Sequence, residues 1–284
     1  MDESVKAYEP KKGKSEKVGK ESSVICDNMN FAGKEAYKRL RTNVIFSFPN
    51  EGKCRVVGVT SAQPGEGKTV TSINLAYSLS ELGKKVLYID ADMRRSSVGR
   101  KLNIPSTPGL SNLMVEMTDL SSVIRGYTSK NGVSFDIITG GDVPPNPAEL
   151  LNSERMKSLF ETLGKVYEYI IVDLPPVCAV VDALSVSGNL DGILVVIREQ
   201  HTPRNAIVYT VDQLKFSGVK ILGFVVNGSW EGTKKKYSYK KYKYGYGYGY
   251  GYGYGYGYGY GNGYGYYGRS RSDPYGYYSN EYHK

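Results

Sequence analysis

Short, continuous apolar runs alternate with stretches of helical periodicity through the middle of the chain. The runs are rich in Val and Ile at successive positions, which is typical of strands in a parallel sheet that is covered by helices on both faces. The sequence contains six such runs: Arg55–Thr60, Lys85–Asp90, Phe135–Thr139, Tyr169–Asp173, Gly192–Arg198 and Lys220–Val226. Six strands with helical crossovers predict a single doubly wound, mostly parallel α/β domain at residues 30–233.

A first helix is predicted from Asn30 onward, before the first strand. Its apolar positions fall roughly on one helical face: Phe31, Ala32, Ala36, Leu40, Val44 and Phe48. The charged residues between Lys34 and Arg41 fall on the other side. This arrangement is typical of a surface helix that buries one face.

The two ends of the chain differ in composition from the domain. Residues 1–29 are rich in Lys, Glu and Ser and lack apolar periodicity, which predicts a disordered charged arm. Residues 234–284 begin with a Lys/Tyr-rich segment and continue as a strict Gly-Tyr alternation through Gly261. Glycine at every second position costs backbone entropy and leaves one face with nothing to pack, so we expect a disordered tail rather than a strand.

The net charge of +9 belongs mostly to the tail. From Lys234 onward, nine Lys and Arg residues stand against Asp273 and Glu281, which leaves a net charge of +7. The domain is therefore not strongly basic, which argues against a nucleic-acid-binding domain, although Tyr-Gly repeats with Lys can also stack on single strands or promote condensation. No apolar run approaches the roughly 20 residues that span a bilayer. With only three scattered cysteines, we expect a cytoplasmic protein.

The segment Ala62–Thr69, AQPGEGKT, is the strongest chemical signal in the sequence. It follows a predicted strand and opens a predicted helix over Lys68–Leu82, which is the context that a P-loop requires. Glycines let backbone N–H groups close around phosphate oxygens, and the helix N-terminus favours an anion. Lys68 is expected to neutralise the β- and γ-phosphates of ATP, and Thr69 to offer its hydroxyl to Mg²⁺. The predicted ATP-binding residues are Gln63, Gly65, Glu66, Gly67, Lys68, Thr69 and Val70.

Three acidic residues lie at the ends of predicted strands: Asp90, Asp92 and Asp173. Because the carboxyl ends of parallel strands share one edge of a sheet, we expect these carboxylates to converge beside Lys68. Any one of them could be an ordinary helix N-cap, but three beside a P-loop favour Mg²⁺ binding and proton abstraction. Arg94 either stabilises the transferred phosphate or forms a salt bridge with an acid in its own loop.

Five segments of the domain recur together, in the same order, in one known family. They are EAYKRLRTN (Glu35–Asn43), the P-loop, YIDADMR (Tyr88–Arg94), PPNPAELL (Pro144–Leu151) and VDLPP (Val172–Pro176). The combination resembles the bacterial tyrosine kinases, which are similar in fold to the Min/Par group of P-loop ATPases.

The resemblance implies transfer of the γ-phosphoryl group of ATP to tyrosine. It makes Lys68 a catalytic residue and implies that Asp90 or Asp92 accepts the tyrosine proton, without deciding between the two. It also implies that Thr69, Asp92 and Asp173 hold Mg²⁺.

The first helix resembles the same family. Glu35, Lys38 and Arg41 are three residues apart on one helical face. The family has Glu-x-x-Arg-x-x-Arg there and uses it to pair subunits into a ring, so the resemblance implies a homo-oligomer. Lys38 departs from this pattern because it keeps the charge but loses the bidentate fork of arginine. The same residues are also typical of an ordinary solvated helix face.

The tail resembles the C-terminal tyrosine cluster that members of the family phosphorylate in trans. It holds 19 of the 27 tyrosines, and the acceptors implied by the resemblance are Tyr246, Tyr248, Tyr250, Tyr252, Tyr254, Tyr256, Tyr258 and Tyr260. A flexible Gly-rich chain of about 50 residues has an r.m.s. span of roughly 40 Å, which is enough to reach a neighbouring subunit. Phosphorylation of roughly four or five tyrosines would cancel the positive charge of the tail.

The resemblance also implies partners and a cellular context. It places the chain at the inner face of the membrane through a separate transmembrane activator or adaptor. There it would act on protein tyrosine substrates in capsule or exopolysaccharide biosynthesis and export.

Two alternatives stay open. A Min/Par-type ATPase switch would carry a second lysine near the start of the P-loop, where this chain has Gln63. A regulatory scaffold would bind ATP without turnover, which the intact Lys68, Thr69 and acids argue against.

Overall fold

The computed structural model describes residues 28–48 and 52–228 of the chain. The centre of this part is a seven-stranded sheet with helices on both faces, so the predicted doubly wound α/β fold is confirmed. The strands are β1 (Arg55–Ser61), β2 (Val86–Asp90), β3 (Ile124–Thr128), β4 (Ser134–Ile138), β5 (Tyr169–Asp173), β6 (Gly192–Arg198) and β7 (Ile221–Asn227). The arm up to residue 27 and the tail with its predicted acceptor tyrosines lie outside the described residues.

The sheet has the strand order β3-β4-β2-β5-β1-β6-β7 and is parallel except for the β3–β4 pair. All six predicted strands are present, with ends that differ from the prediction by no more than one residue. The sequence does not predict β3, which is antiparallel and lies at one edge. Its five residues, IRGYT, are partly exposed and include Arg125 and Gly126, so they form no apolar run.

Nine α-helices occur in the described part of the chain. They are α1 (Phe31–Phe46), α2 (Lys68–Ser80), α3 (Val98–Leu102), α4 (Leu110–Met114), α5 (Leu120–Val123), α6 (Pro147–Leu151), α7 (Glu154–Leu163), α8 (Asp182–Ser185) and α9 (Arg204–Phe216). Among these helices, none combines the length and the apolar character that a membrane span requires.

The strands bury both of their faces, as the continuous apolar runs predict. In β2, Leu87 and Ile89 pack into the core on one side of the sheet. Val86 and Tyr88 pack into the core on the other side, beneath α2. All four side chains are at most 2% exposed, which explains why β2 contains no alternation of polar and apolar residues.

The predicted apolar face of α1 is wrong in part. Phe31 is 79% exposed and Ala36 is also exposed, whereas Val44 is buried. Arg41, which the pattern places on the polar side, is buried against α2. Its Nη1 donates to the backbone oxygen of Ser78 at 2.6 Å. The inward face of α1 is therefore rotated toward Arg41, whose Nη1 is hydrogen-bonded inside the fold although its buried Nε has no hydrogen-bond partner among the described residues.

The carboxyl ends of β1, β2 and β5 meet at one edge of the sheet. β5 lies between β1 and β2, and its register places Asp173 directly beside Asp90 of β2. The loop that follows β1 leads into α2. The predicted phosphate loop and the predicted carboxylates are thus brought to the same edge by the strand order.

Candidate nucleotide and phosphoryl-transfer site

The loop between β1 and α2 has the backbone conformation that only glycine adopts readily. Gly65 has φ +84° and Gly67, the residue that caps α2, has φ +96°. A Cβ at Gly67 would also lie 2.0 Å from Nδ2 of Asn227, which is the last residue of β7. Conformation and space therefore both require glycine at position 67, whereas only conformation does at position 65.

Glu66 anchors this loop from the inside. Its side chain is fully buried. Oε1 accepts a hydrogen bond from the hydroxyl of Thr202 at 2.5 Å, and Oε2 accepts one from the backbone N–H of Gln63 at 3.0 Å. Its backbone oxygen accepts from Nδ2 of Asn227 at 2.9 Å. The β6–α9 loop and the end of β7 thus hold the phosphate loop in place, and Glu66 faces these partners rather than the cavity.

Lys68 lies between two of the predicted carboxylates. Its Nζ is 2.8 Å from Oδ2 of Asp92 and 3.5 Å from Oδ1 of Asp173. Burial lowers the pKa of Lys68, but the carboxylates of Asp173 and Asp92 more than offset this effect, so the net pKa lies above its ordinary value. Lys68 is therefore a permanent positive charge in a site dominated by acids.

Asp90 holds the loop that carries Asp92. Its Oδ2 accepts from the hydroxyl of Ser96 at 2.8 Å and from the backbone N–H of Ser97 at 3.3 Å. Its Oδ1 accepts from the backbone N–H of Asp92 at 3.2 Å. Burial, and then the neighbouring Asp173, raise the pKa of Asp90 to about 7.

Asp173 is also fully buried. Burial raises its pKa, and the positive charge of Lys68 opposes that rise only in part. Burial thus raises the pKa of two adjacent carboxyl groups, those of Asp90 and Asp173.

Arg94 joins two walls of the site. Its Nε donates to Oδ2 of Asp182 at 2.7 Å and its Nη2 donates to Oδ1 of the same carboxylate at 3.2 Å. Asp182 lies in α8, beyond the loop that follows β5, and is 1% exposed. Of the two roles considered for Arg94, a salt bridge is the one observed, but the acid is distant in sequence rather than in its own loop. This bridge ties the segment after β2 to the segment after β5.

A cavity of about 650 Å³ opens at this edge of the sheet. Six of the predicted site residues line it: Gly65, Gly67, Lys68, Thr69, Val70 and Asp92. Gln63, Glu66, Asp90 and Asp173 are not part of its lining, and the last three of these are fully buried. The sequence pattern does not indicate Arg95, Ser97 and Lys101, which add hydroxyl and cationic groups to the wall.

The oxygen donors at this edge fit Mg²⁺. Within residues 28–48 and 52–228, no group of three or more His, Cys, Asp or Glu side chains is arranged to hold a metal ion by itself. Mg²⁺ does not require such a group, because it is commonly bound by one or two carboxylates together with waters and nucleotide phosphates. The hydroxyl of Thr69 and the carboxylates of Asp92 and Asp173 are donors of that kind, beside the phosphate loop.

The predicted subunit-pairing residues lie on α1, away from this cavity. Glu35 and Lys38 form a surface ion pair of 2.9 Å. Arg41 is bound within the chain, where Nη1 also lies 3.0 Å from Oε2 of Glu81. The structure therefore leaves Glu35 and Lys38 accessible and uses Arg41 to attach α1 to α2.

Comparison with known proteins agrees with this geometry. A family model described as an AAA domain matches residues 54–215, which is more than half of the chain. The chain is thus a P-loop protein with a nucleotide-binding domain.

Relatives identify the family within that class. Tyrosine-protein kinase YwqD of Bacillus subtilis (strain 168) is 36% identical over 205 residues, which cover 72% of this chain and 85% of that protein. The solved kinase domain of Escherichia coli tyrosine kinase ETK is 33% identical, with a TM-score of 0.71, and the match covers 80% of this chain and 87% of that domain. This chain belongs to the family of bacterial tyrosine-protein kinases.

The extent of the match differs among the relatives. The chain spans only 28% of a tyrosine-protein kinase described as putative and in the cps region of Klebsiella pneumoniae, and 29% of tyrosine-protein kinase etk of Escherichia coli (strain K12). The septum site-determining protein MinD of Pyrococcus horikoshii OT3, solved with Mg-ADP, is 22% identical with a TM-score of 0.51 over 61% of this chain and 70% of that protein. At that identity the likeness concerns the fold alone.

Proposed function

We propose that this chain transfers the γ-phosphoryl group of ATP to tyrosine hydroxyls, including those of its own tail. The observation that carries the proposal is the convergence of Lys68 and Thr69 with Asp92 at one cavity, backed by Asp173. The phosphate loop supplies backbone donors and Lys68 supplies positive charge for the β- and γ-phosphates.

Thr69, Asp92 and Asp173 are the residues that would hold Mg²⁺. A Mg²⁺ ion held there with ATP would offset the negative charge that develops on the phosphates during transfer. The protein contributes the fixed position of these donors, since Asp92 is 5% exposed and Asp173 is fully buried. Burial lowers the effective dielectric around these carboxylates, which strengthens their electrostatic effect.

The phosphoryl step needs a proton acceptor beside the substrate. The tyrosine oxygen forms a bond to the γ-phosphorus while the bond from that phosphorus to the leaving oxygen of ADP breaks, and the phenolic proton passes to a carboxylate. Asp92 lines the cavity, whereas Asp90 is fully buried and holds the backbone of Asp92. We assign proton acceptance to this pair, with Asp92 as the member that faces the substrate.

The acceptors and the assembly are part of the same proposal. Tyr246 to Tyr260 at every second position are the acceptors, and they are modified in trans within a homo-oligomeric ring. Glu35 and Lys38, both on the surface of α1, contribute to the contact between subunits, with Arg41 fixing the helix that presents them.

The names of two relatives support a proposed cellular role. One of them is described as lying in a cps region, and another is the tyrosine-protein kinase CpsD of Streptococcus agalactiae. We assign this chain to capsule or exopolysaccharide biosynthesis and export, in the cytoplasm at the inner face of the membrane and bound to a separate transmembrane activator.

The test is incubation of the full chain with Mg²⁺ and ATP, followed by mass spectrometry of the tail. Phosphotyrosine should appear in the Gly-Tyr repeat of the parent and should be lost in Lys68→Met and strongly reduced in Asp92→Asn. ATP hydrolysis without phosphotyrosine, even with the cytoplasmic end of a cognate activator present, would contradict kinase activity and favour an ATPase switch. Binding of ATP without any turnover would contradict both enzymatic functions and favour a regulatory scaffold.

A further inference from the structure

Tyr88 is a fully buried tyrosine in the middle of β2, and the pattern of the sequence gives it no role beyond packing. Its neighbours in the strand, Leu87 and Ile89, are aliphatic and also fully buried. Its ring packs with the residues beneath α2, the helix that begins at the phosphate loop. A hydroxyl at such a position costs free energy unless it forms a hydrogen bond.

The hydroxyl of Tyr88 forms that bond with the buried carboxylate of the site. It donates to Oδ2 of Asp173 at 3.1 Å. The other oxygen of the same carboxylate, Oδ1, is the one that lies 3.5 Å from Nζ of Lys68. The two oxygens therefore have different partners, one within the core and one on the side of the phosphate loop.

We propose that Tyr88 is a positioning residue for the nucleotide-bound cation: its hydrogen bond fixes the carboxylate of Asp173 so that Oδ1 faces the metal position. This inference rests on the proposed binding of Mg²⁺ and ATP. Without the bond, Lys68 and Thr69 remain as contacts of the carboxylate, and rotation about its Cβ–Cγ axis is less restricted. Groups that orient metal ligands in this way typically contribute about 10–100-fold to metal affinity.

The phenol suits this task because it stays a donor. Burial, and then the charge of Asp173, raise the pKa of Tyr88 well above its ordinary value. The side chain is therefore a neutral donor at neutral pH. A phenylalanine would fill the same space in the core but could not orient the carboxylate.

The experiment compares Tyr88→Phe with Tyr169→Phe in the full chain. Tyr169 lies on the adjacent strand β5, packs on the same face of the sheet and is at the end of the strand opposite to Asp173. ADP serves as the probe because it allows no turnover. Its affinity is measured by calorimetry, first in excess EDTA and then at a series of increasing Mg²⁺ concentrations.

We expect Tyr88→Phe to raise the half-saturating Mg²⁺ concentration about 10-fold or more and to leave ADP affinity in EDTA unchanged. Tyr169→Phe should match the parent in both measurements. In an Asp173→Asn background, adding Tyr88→Phe should cause no further change, because the hydroxyl acts through that carboxylate.

Equal Mg²⁺ dependence in the parent and in Tyr88→Phe would overturn the inference. A Tyr88→Phe chain that does not fold would overturn it too, because the hydroxyl would then serve stability rather than the metal. A parent that binds ADP with no dependence on Mg²⁺ would instead contradict the proposed function, so the two failures are distinguishable.

Discussion

Replacing Thr202 by Val should destabilise the domain through the phosphate loop, although Thr202 is 136 residues away from that loop in sequence. Valine has nearly the same shape as threonine but no hydroxyl. The change removes the 2.5 Å hydrogen bond to the buried carboxylate of Glu66. It also removes the acceptor of the Arg198 backbone N–H, which lies 2.8 Å away.

The magnitude follows from these two bonds. A hydrogen bond to a charged group contributes about 1.5–3 kcal/mol to stability. The Arg198 N–H lies at the exposed end of β6, where water can replace the lost hydroxyl, so it adds little. We therefore expect a loss of about 1.5–3 kcal/mol. For a domain of this size, that corresponds to a fall in melting temperature of about 3–12 °C.

The assay is urea and thermal unfolding without nucleotide, with Thr42→Val as the matched control. The hydroxyl of Thr42 donates to the backbone oxygen of Lys38 at 2.9 Å within the exposed surface of α1, so its loss should change stability by less than about 0.5 kcal/mol. Glu66 does not line the cavity, and ATP affinity of folded Thr202→Val should therefore stay within about tenfold of the parent. Equal stability of the two variants would refute this account of the loop.

Two further predictions concern charged groups of the site. Because burial and then Asp173 raise the pKa of Asp90 to about 7, the folded chain binds more protons than the unfolded chain between about pH 4 and 7. Stability in EDTA should therefore fall as pH rises through that window. Asp90→Asn should flatten this slope in urea unfolding, and an unchanged slope would contradict the assignment. Arg94→Lys keeps a charge near Asp182 but loses the two-point contact, so stability should fall by about 1 kcal/mol, a small value because Arg94 is partly exposed to solvent. Replacing the exposed Arg100 by Lys should leave stability unchanged. An equal loss of stability in both variants would contradict a special role for the salt bridge between Arg94 and Asp182.

The parts of the fold that the sequence predicts are those that depend on local pattern. Each parallel strand is a continuous apolar run, and the P-loop combines a strand, a Gly-rich turn and a helix within a few residues. The meeting of Asp90 and Asp173 is also predictable, because parallel strands place their carboxyl ends at one edge. β3 is not predicted because an antiparallel edge strand needs only partial burial and therefore no continuous apolar run.

The parts that the sequence does not predict depend on contacts between distant residues. Arg94 forms its salt bridge with an acid 88 residues away in sequence. Asn227 donates a hydrogen bond to the backbone oxygen of Glu66, which is 161 residues away. No spacing rule indicates such pairs. Arg41 is misassigned for the same reason, since an arginine on a helix predicts a solvated face unless its buried partner is known. The hydrogen bond of Tyr88 is not predicted for another reason: a tyrosine in an apolar strand is interpreted simply as a core residue.

The buried acids connect these contacts to the chemistry. Asp90, Asp92 and Asp173 carry three negative charges when ionised, and Lys68 supplies one positive charge. Burial raises the pKa of both Asp90 and Asp173, so these two carboxylates take up protons more readily than ordinary aspartates. A divalent cation at the proposed site would offset the excess of negative charge, so its binding should release protons from the cluster. The carboxylates would then be ionised when ATP and the tyrosine are in place, which is the state in which one of them can accept the phenolic proton. The same excess of buried carboxylates over Lys68 therefore explains two expected effects. One is proton release on Mg²⁺ binding, and the other is proton acceptance during phosphoryl transfer.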